Sequence, residues 1–409
     1  MSTPQSNFVN GTLKAVNIAD IVDSQAIIAK TVAQDYKNEL AAGDNPTISI
    51  KIPGRGKVVE GKVLPGDFQQ QTNTIVSHHL TKKTIPIEIS ELDASTTIEA
   101  WTKEVMQPIK ENFSTDINRM VLRAILAGVD DCIVKPAAGS ANFSDLSNLT
   151  AMLVKSKVTG KKWAVLDPSI MAQVRTSGTN LFTGGSVAND LYNSFDIASY
   201  GGVEYIGTPD IDSVQYPATM PTSTITSGAG VNGERKLPIS ANLNVALPEG
   251  MLFTVADVFK VDAEGKPLTG QLKVFVTAET PSGVNYINLK SPLIFTPDTV
   301  DGKARTQVKN ISALPASGKA ITWKGSAGVT YLRGVLYAQN IAAIANRQLT
   351  EKGKVGSVTT TSLAGMASLQ LWERTGDTAN GDIWQSISRL DAAFPLLGLG
   401  GVAYYVPAT

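Results

Sequence analysis

The stretch TNTIVSHHLTKKTIPIEIS, residues 72–90, holds both histidines of the chain, His78 and His79, side by side. Imidazole is the commonest side-chain metal ligand and a ready general base near neutral pH. On a strand, however, adjacent side chains point to opposite faces, so the two rings cannot grip one ion together. The chain has no other histidine with which to complete a three- or four-ligand zinc site. A general base also needs a pocket and an orienting partner, whereas Lys82 and Lys83 come next on what reads as a solvated ribbon. The pattern therefore predicts that His78 and His79 contact solvent or another subunit, with no metal site and no catalytic pair.

The other candidates for chemistry are equally thin. GAGVNG, residues 228–233, fits the G-x-G-x-x-G spacing, but that motif cradles a pyrophosphate only between a strand and a helix. Here Thr, Ser and Pro flank it, which predicts a flexible linker. Asp130 with Asp131, and Asp210 with Asp212, have no second acidic cluster or histidine in sequence reach, so turn and cap roles explain them. No G-x-S-x-G elbow or phosphate loop is present, and the lone Cys132 reads as a small buried apolar side chain. The five tryptophans, Trp101, Trp163, Trp323, Trp372 and Trp384, are scattered over apolar faces and predict core packing rather than a sugar platform. The expectation is a non-enzyme without cofactors.

Composition bounds the class. With 409 residues the chain can build two or three domains. Its 36 basic and 36 acidic residues cancel, so no net field recruits nucleic acid or an anionic membrane over distance. One cysteine excludes an intramolecular disulfide scaffold. No run reaches the ~18 apolar residues of a membrane helix, and MSTPQSNFVNGTLKAV lacks the form of a signal peptide, so the expectation is a soluble, unexported protein.

The periodicities predict an α+β chain. Ile18, Ile21, Val22, Ile28 and Val32 lie along one side of a helix over 17–40. TISIKI and TIPIEI alternate as two rails of a β-ribbon, joined by about thirty polar, Gly-rich residues. A long helix is predicted over 96–127, kinked at Pro108, where a backbone hydrogen bond is lost, or else two shorter helices meeting at MQPI. Leu146, Leu149, Leu153 and Val154 predict another helix. WAVL with Asp167 and Pro168 after it predicts a strand feeding a capped helix, and GGVEYIGTPDI a further strand. Near residue 215 the texture changes, and 238–325 holds short β-rich runs at intervals near ten residues, as in an antiparallel barrel or sandwich. YAQNIAAIANRQL then reads as a helix, TTSLAGMASLQLWER as a strand, and the last residues as closing strands.

In this order IIAKTVAQDY, PTISIKIPGRG through PGDFQQQ to IPIEISELDA, EVMQPIKENFSTDINRMVLRAIL, WAVLDPSIMAQV, LYNSFDIASYGGVEYIGTPDI and LPEGMLFTVADVFKV resemble the major capsid (coat) protein of tailed bacteriophages. The resemblance is to the short-tailed phage branch, whose shell fold carries an inserted β-barrel domain. It implies an N-terminal arm and helix at 1–45, an extended loop at 46–90, a peripheral domain with the spine helix at 91–150, an axial domain at 151–217 and 329–409, and the inserted domain at 218–328.

The resemblance also implies a homo-oligomeric shell of hexamers and pentamers around double-stranded DNA bound without sequence specificity. A scaffolding protein and a portal would be partners, and assembly would take place in the host cytoplasm. The loop would lie across a neighbouring subunit, with Arg55, Lys57, Lys62, Asp67, Phe68, His78, His79 and Lys82 at the contact. Gly54, Gly56, Gly61 and Gly66 would let it reshape. A tail-tube or fibre subunit, or a carbohydrate-active enzyme with a β-rich module, is the alternative.

Overall fold

The computed structural model describes residues 26–33, 47–56, 58, 60–62, 68–89, 107–178, 199–221, 226, 228–297, 299–300, 303–347, 357–362, 368–375, 383–397 and 399–408. Two compact units divide the chain. The first comprises Met1–Ser49, Ser77–Val121 and Ala343–Phe394, the second Ile50–Val76, Leu122–Ala342 and Pro395–Thr409.

In chain order the elements are β1 (Thr47–Pro53), β2 (Asn73–His79), β3 (Thr81–Ile89), α1 (Gln107–Ala127), β4 (Asp131–Val134), α2 (Phe143–Lys155), β5 (Lys162–Leu166), α3 (Pro168–Gly178), β6 (Ser199–Tyr200), β7 (Val203–Gly207) and β8 (Val214–Gln215). Next come β9 (Lys236–Pro238), β10 (Leu252–Val261), β11 (Pro267–Val276), β12 (Tyr286–Asn288), β13 (Thr299–Val300), β14 (Lys303–Ala304) and β15 (Ile321–Lys324). The chain closes with β16 (Thr330–Ala338), β17 (Ala342–Arg347), β18 (Ser357–Ser362), β19 (Ser368–Thr375), β20 (Ile383–Pro395) and β21 (Gly401–Pro407). Few helices beside several mostly antiparallel sheets make the protein α+β. No described helix is long and apolar enough to cross a membrane.

The second unit is built on a seven-stranded sheet of order β4-β21-β16-β5-β7-β6, with β8 pairing the end of β16. Helices α2 and α3 bury Leu146, Leu149, Leu153, Ile170 and Val174 against Leu166, Leu336, Val402 and Tyr404 of that sheet. The start of α2 is a capping box: the Asn142 side chain accepts from the Asp145 N–H, and the Asp145 carboxylate accepts from the Asn142 N–H. At α3 the predicted signal operates, with Asp167 Oδ1 accepting from the Ser169 N–H at 2.8 Å and Pro168 opening the helix.

Between β8 and β16 lies a β-rich run whose two ends meet. Tyr216 N donates to Val329 O at 3.0 Å and Gly328 N to Pro217 O at 2.8 Å, so the two ends of the run lie side by side where β8 pairs β16. Within it, backbone pairing passes from β15 to β10 and from β10 to β11. It continues from the end of β11 to β12 through Thr277 and Leu289, and then to β9. From Ile239 it reaches Thr226, whose N–H donates to Lys319 O, two residues before β15. The path returns to its start, an arrangement that covers strand edges.

The first unit carries a sheet of order β17-β20-β19-β18, with β3 pairing the other part of β20 from Ile89↔Ile383 to Thr81↔Asp391. On α1, Phe113, Ile117 and Val121 are buried.

Several expectations change. Of the helix predicted over 17–40, only 26–33 lies in the described residues, and there a single 3-10 turn, Ile28–Thr31, gives way to extended backbone at Val32 and a bridge from Ala33 to Ala343. The Thr31 hydroxyl donates to the Ile28 carbonyl at 2.7 Å at the end of this turn. YAQNIAAIANRQL is not a helix: its described part is the end of β16, a 3-10 turn over Gln339–Ile341, and β17. Every residue from Ile341 to Ala345 is buried, and a run apolar on all sides has no period by which to tell a buried strand from a helix. TTSLAGMASLQLWER forms two paired strands, β18 and β19, rather than one. The described part of the long helix predicted over 96–127 is α1, Gln107–Ala127, so the kink predicted at Pro108 falls at the edge of the described residues. Residues 96–106 upstream of it lie outside the described residues.

Gly325 sits where the insertion rejoins the sheet, at φ +110°, and a Cβ there would lie 2.7 Å from the Tyr216 ring. Gly325→Ala is expected to cost about 2 kcal/mol of stability through strain and ring displacement. The check is a lowered denaturant midpoint with an unchanged m-value.

Candidate assembly loop

Strands β1 and β2 pair as a two-stranded ribbon, with the Ser49 and Ser77 hydroxyls 3.0 Å apart. Beyond it the chain runs out as a loop over 54–72. At the loop base Gly54 N donates to Thr72 O at 2.8 Å, and Arg55 and Gln307 exchange both backbone hydrogen bonds at 2.9 and 2.8 Å. The Arg55 guanidinium donates to the Ala263 carbonyl at 2.7 Å, so it is engaged within its own chain.

Outward of this base the loop presents apolar side chains to water. Val58 is 88% and Phe68 73% exposed, and Ile75 on β2 is 66% exposed. Large apolar groups gathered on one exposed segment mark a contact surface. Lys62 is exposed in the same loop, while Lys57 and Asp67 lie outside the described residues. The histidines part as strand geometry requires: the His78 ring stacks on Phe394 with centroids 4.4 Å apart, whereas His79 is exposed, as is Lys82. Among the described residues no cluster of His, Cys, Asp and Glu could hold a metal ion.

Two charged networks escaped the sequence reading. In the first unit, the fully buried Arg389 on β20 pairs with Asp116 of α1 and, at 3.2 Å, with Asp391, while its guanidinium lies 5.2 Å from the Phe113 ring centroid. Lys83 joins at 2.6 Å from Asp116. Burial raises the Asp391 carboxyl above the usual carboxylate range, against the pull of Arg389.

In the second unit, Lys260 on β10 is fully buried, 3.1 Å from Asp131 and 3.4 Å from Asp130. Asp130 Oδ2 also accepts from the Gly400 N–H at 3.2 Å. Asp130 and Asp131 are thus ion-pair members, not the turn and cap residues expected. The available signal was a lysine inside an apolar strand run, in VFKV and again in QLKV. Burial alone would lower the Lys260 ammonium, but Asp130 and Asp131 outweigh it and hold it above the ordinary lysine value. Burial brings neighbouring Lys273 down to about 8.

These groups are poor reagents. Lys260 is held as an ammonium and cannot act as a nucleophile, and burial pushes the Cys132 thiol up to about 12, which leaves almost no thiolate at neutral pH. A cleft of about 810 Å³ is lined by Ser213, Pro217, Pro248, Glu249, Glu279 and Thr280, and Glu249 pairs with Lys290 at 2.7 Å. GAGVNG is fitted rather than flexible: Gly230 N donates to Pro315 O and Gly233 N to Leu293 O, and no helix follows it. Trp323 packs against Phe253, and Lys161 lies over the half-buried Trp163. Trp101 and the side chains of Trp372 and Trp384 lie outside the described residues.

No family model matches the chain, and no curated protein matches it. Among solved structures it is similar to the capsid of the cyanophage P-SCSP1u, at 10% identity over 90% of each chain and a TM-score of 0.42. It is also similar to the virus-like particle from Pyrococcus furiosus, at 9% identity over 96% of this chain and 97% of that one, with a TM-score of 0.41. The capsid of a native GTA particle gives 8% identity over 94% and 91%, with a TM-score of 0.45.

The buried lysines generate a pH signature. Lys273, depressed in the fold, binds its proton less tightly there than in the unfolded chain, so its contribution makes stability rise between pH 8 and the ordinary lysine value of about 10.4. Lys273→Met is expected to flatten the rise in stability between pH 8 and pH 10, read from denaturant unfolding at both. Lys260→Met strands two buried carboxylates and is expected to cost about 3 kcal/mol or more by the same measurement.

Proposed function

We propose that this chain is a major capsid protein that assembles into a closed shell around a phage genome. The observation that carries the reading is the loop over 54–72: its base is hydrogen-bonded into the subunit while Val58 and Phe68 stand almost wholly in water. Exposed apolar side chains above a fixed base are suited to lie on another copy. Patches that meet different patches on neighbours close into a shell when the rotations between them close. The order of sequence segments that resembles the tailed-phage coat proteins supports the same reading.

The finer reading is the short-tailed branch, with the insertion as a small barrel between the two parts of an axial domain and α1 as the spine helix. Lys62, Phe68, His79 and Lys82 belong to the intersubunit contact, with Lys57 and Asp67 beside them on the loop. Arg55 contributes by holding the base, and His78 by packing on Phe394. Exposed ion pairs add only about 0 to 1 kcal/mol each, so the apolar residues carry the contact. A scaffolding protein and a portal guide assembly in the host cytoplasm, and double-stranded DNA is enclosed without sequence-specific binding. The balance of 36 basic and 36 acidic residues suits a wall that must release its genome.

Velocity sedimentation of the purified chain, alone and with the scaffolding protein from the same genome, checks this. A fast fraction of uniform closed particles is expected by negative-stain imaging. Val58→Asp with Phe68→Asp should lower their yield by about tenfold or more while leaving the unfolding midpoint unchanged, because both side chains are exposed. Tubes or fibres would move the chain to another virion component, and a monomer under every condition would overturn the reading.

A further inference from the structure

We infer that residues 305–307, together with Ala263, form an internal seat that aims the 54–72 loop, a proposal that rests on the role in assembly given above. Where a ribbon opens into a loop, each rail presents backbone groups that need partners. The segment 305–307 serves both rails. Gln307 exchanges two hydrogen bonds with Arg55 on one rail, and on the other Thr306 N donates to Gln70 O at 3.1 Å while Thr72 N donates to the Thr306 hydroxyl at 2.7 Å. The two rails also stay joined to each other through Gly54 N and Thr72 O.

Gly54 is the contact point. A Cβ there would stand 2.4 Å from Thr306 Oγ1 and 2.6 Å from Thr72 O, and the latter is backbone that cannot swing aside. The sequence places Gly54 among four glycines expected to flex the loop, but it is packed where Gly61, at φ +84°, has nothing within 4 Å. The loop therefore has a base fixed at Gly54.

The seat is itself braced. Ala263, whose carbonyl receives Arg55, donates its N–H to Ser156 O at the end of α2 (2.9 Å), and Lys157 pairs with Asp262 at 3.2 Å. Asp262 Oδ1 accepts from the N–H groups of Glu264 and Lys266 at 2.9 Å each, which shapes the turn between β10 and β11. A continuous route of hydrogen bonds thus runs from α2 through this turn to the loop base. The direction of the loop is set by the inserted β-rich run.

Hydrogen exchange on the soluble full chain, with assembly of the same samples afterwards, tests this. In the unaltered protein the Arg55, Thr72 and Gln307 amides should be protected. Thr306→Val, which keeps the shape and removes the acceptor, should speed exchange at Thr72 by about tenfold. It should also lower the yield of closed particles, and Thr306→Ser should restore both. Unprotected amides in the unaltered chain would overturn the seat. Equal particle yield and size from Thr306→Val despite lost protection would overturn the aiming while leaving the capsid reading intact. An unaltered chain that forms no particles would sink the capsid reading and the aiming with it, while its exchange pattern still decides whether the seat exists.

Discussion

Strand β16 is hydrogen-bonded along both edges, to β21 and to β5, and the second unit depends on that double pairing. A central strand must pair every backbone group, because an unpaired buried N–H or C=O costs as much as a lost hydrogen bond. Tyr331, Val335, Leu336 and Tyr337 on β16 are buried, and at Gly334 a Cβ would come 2.4 Å from Leu166 of β5. The Leu166 side chain lies over the sheet face in the space that a Cβ at Gly334 would fill. From this strand the insertion departs on one side at β8, and it returns directly into Thr330.

Polar groups inside the second unit are placed where elements must register. Tyr404 donates to Asp145 at 2.5 Å and Lys135 pairs with the same carboxylate at 2.7 Å, which ties the start of α2 to the sheet. Tyr405 donates to Gly250 O at 2.8 Å, and Leu252 N donates to the Tyr216 hydroxyl, so the sheet grips the start of β10. Lys260 with Asp130 and Asp131 joins β10 to β4 in the same way. Buried ion pairs add little net stability against an apolar replacement, but removing one partner is costly, so such groups act mainly on register. The loop base draws on the same framework through Ala263 and Thr306.

Local signals were readable in the sequence, and long-range ones were not. Asp167 and Pro168 announced α3 because capping chemistry lies within three residues. The alternation in TISIKI and TIPIEI announced β1 and β3, but their partners are β2 and β20, and pairing across three hundred residues leaves no local trace. Ile341–Ala345 misled because complete burial erases periodicity. The pairing of Asp130 with Lys260, and of Arg55 and Gly54 with residues 263 and 305–307, spans more than a hundred residues in each case. At the candidate contact the exposed Phe68 was legible in advance. Val58 was not, since an apolar residue in a loop reveals its exposure only once the fold is built.

The most direct measurement is an electron cryo-microscopy reconstruction of particles assembled from the unaltered chain. Residues 54–72 are expected to leave a base still hydrogen-bonded to 305–307 and to run onto an adjacent copy that covers Val58 and Phe68. Particles in which the loop folds back on its own subunit, or in which both side chains remain in solvent while other surfaces hold the shell, would contradict a shell built on this loop.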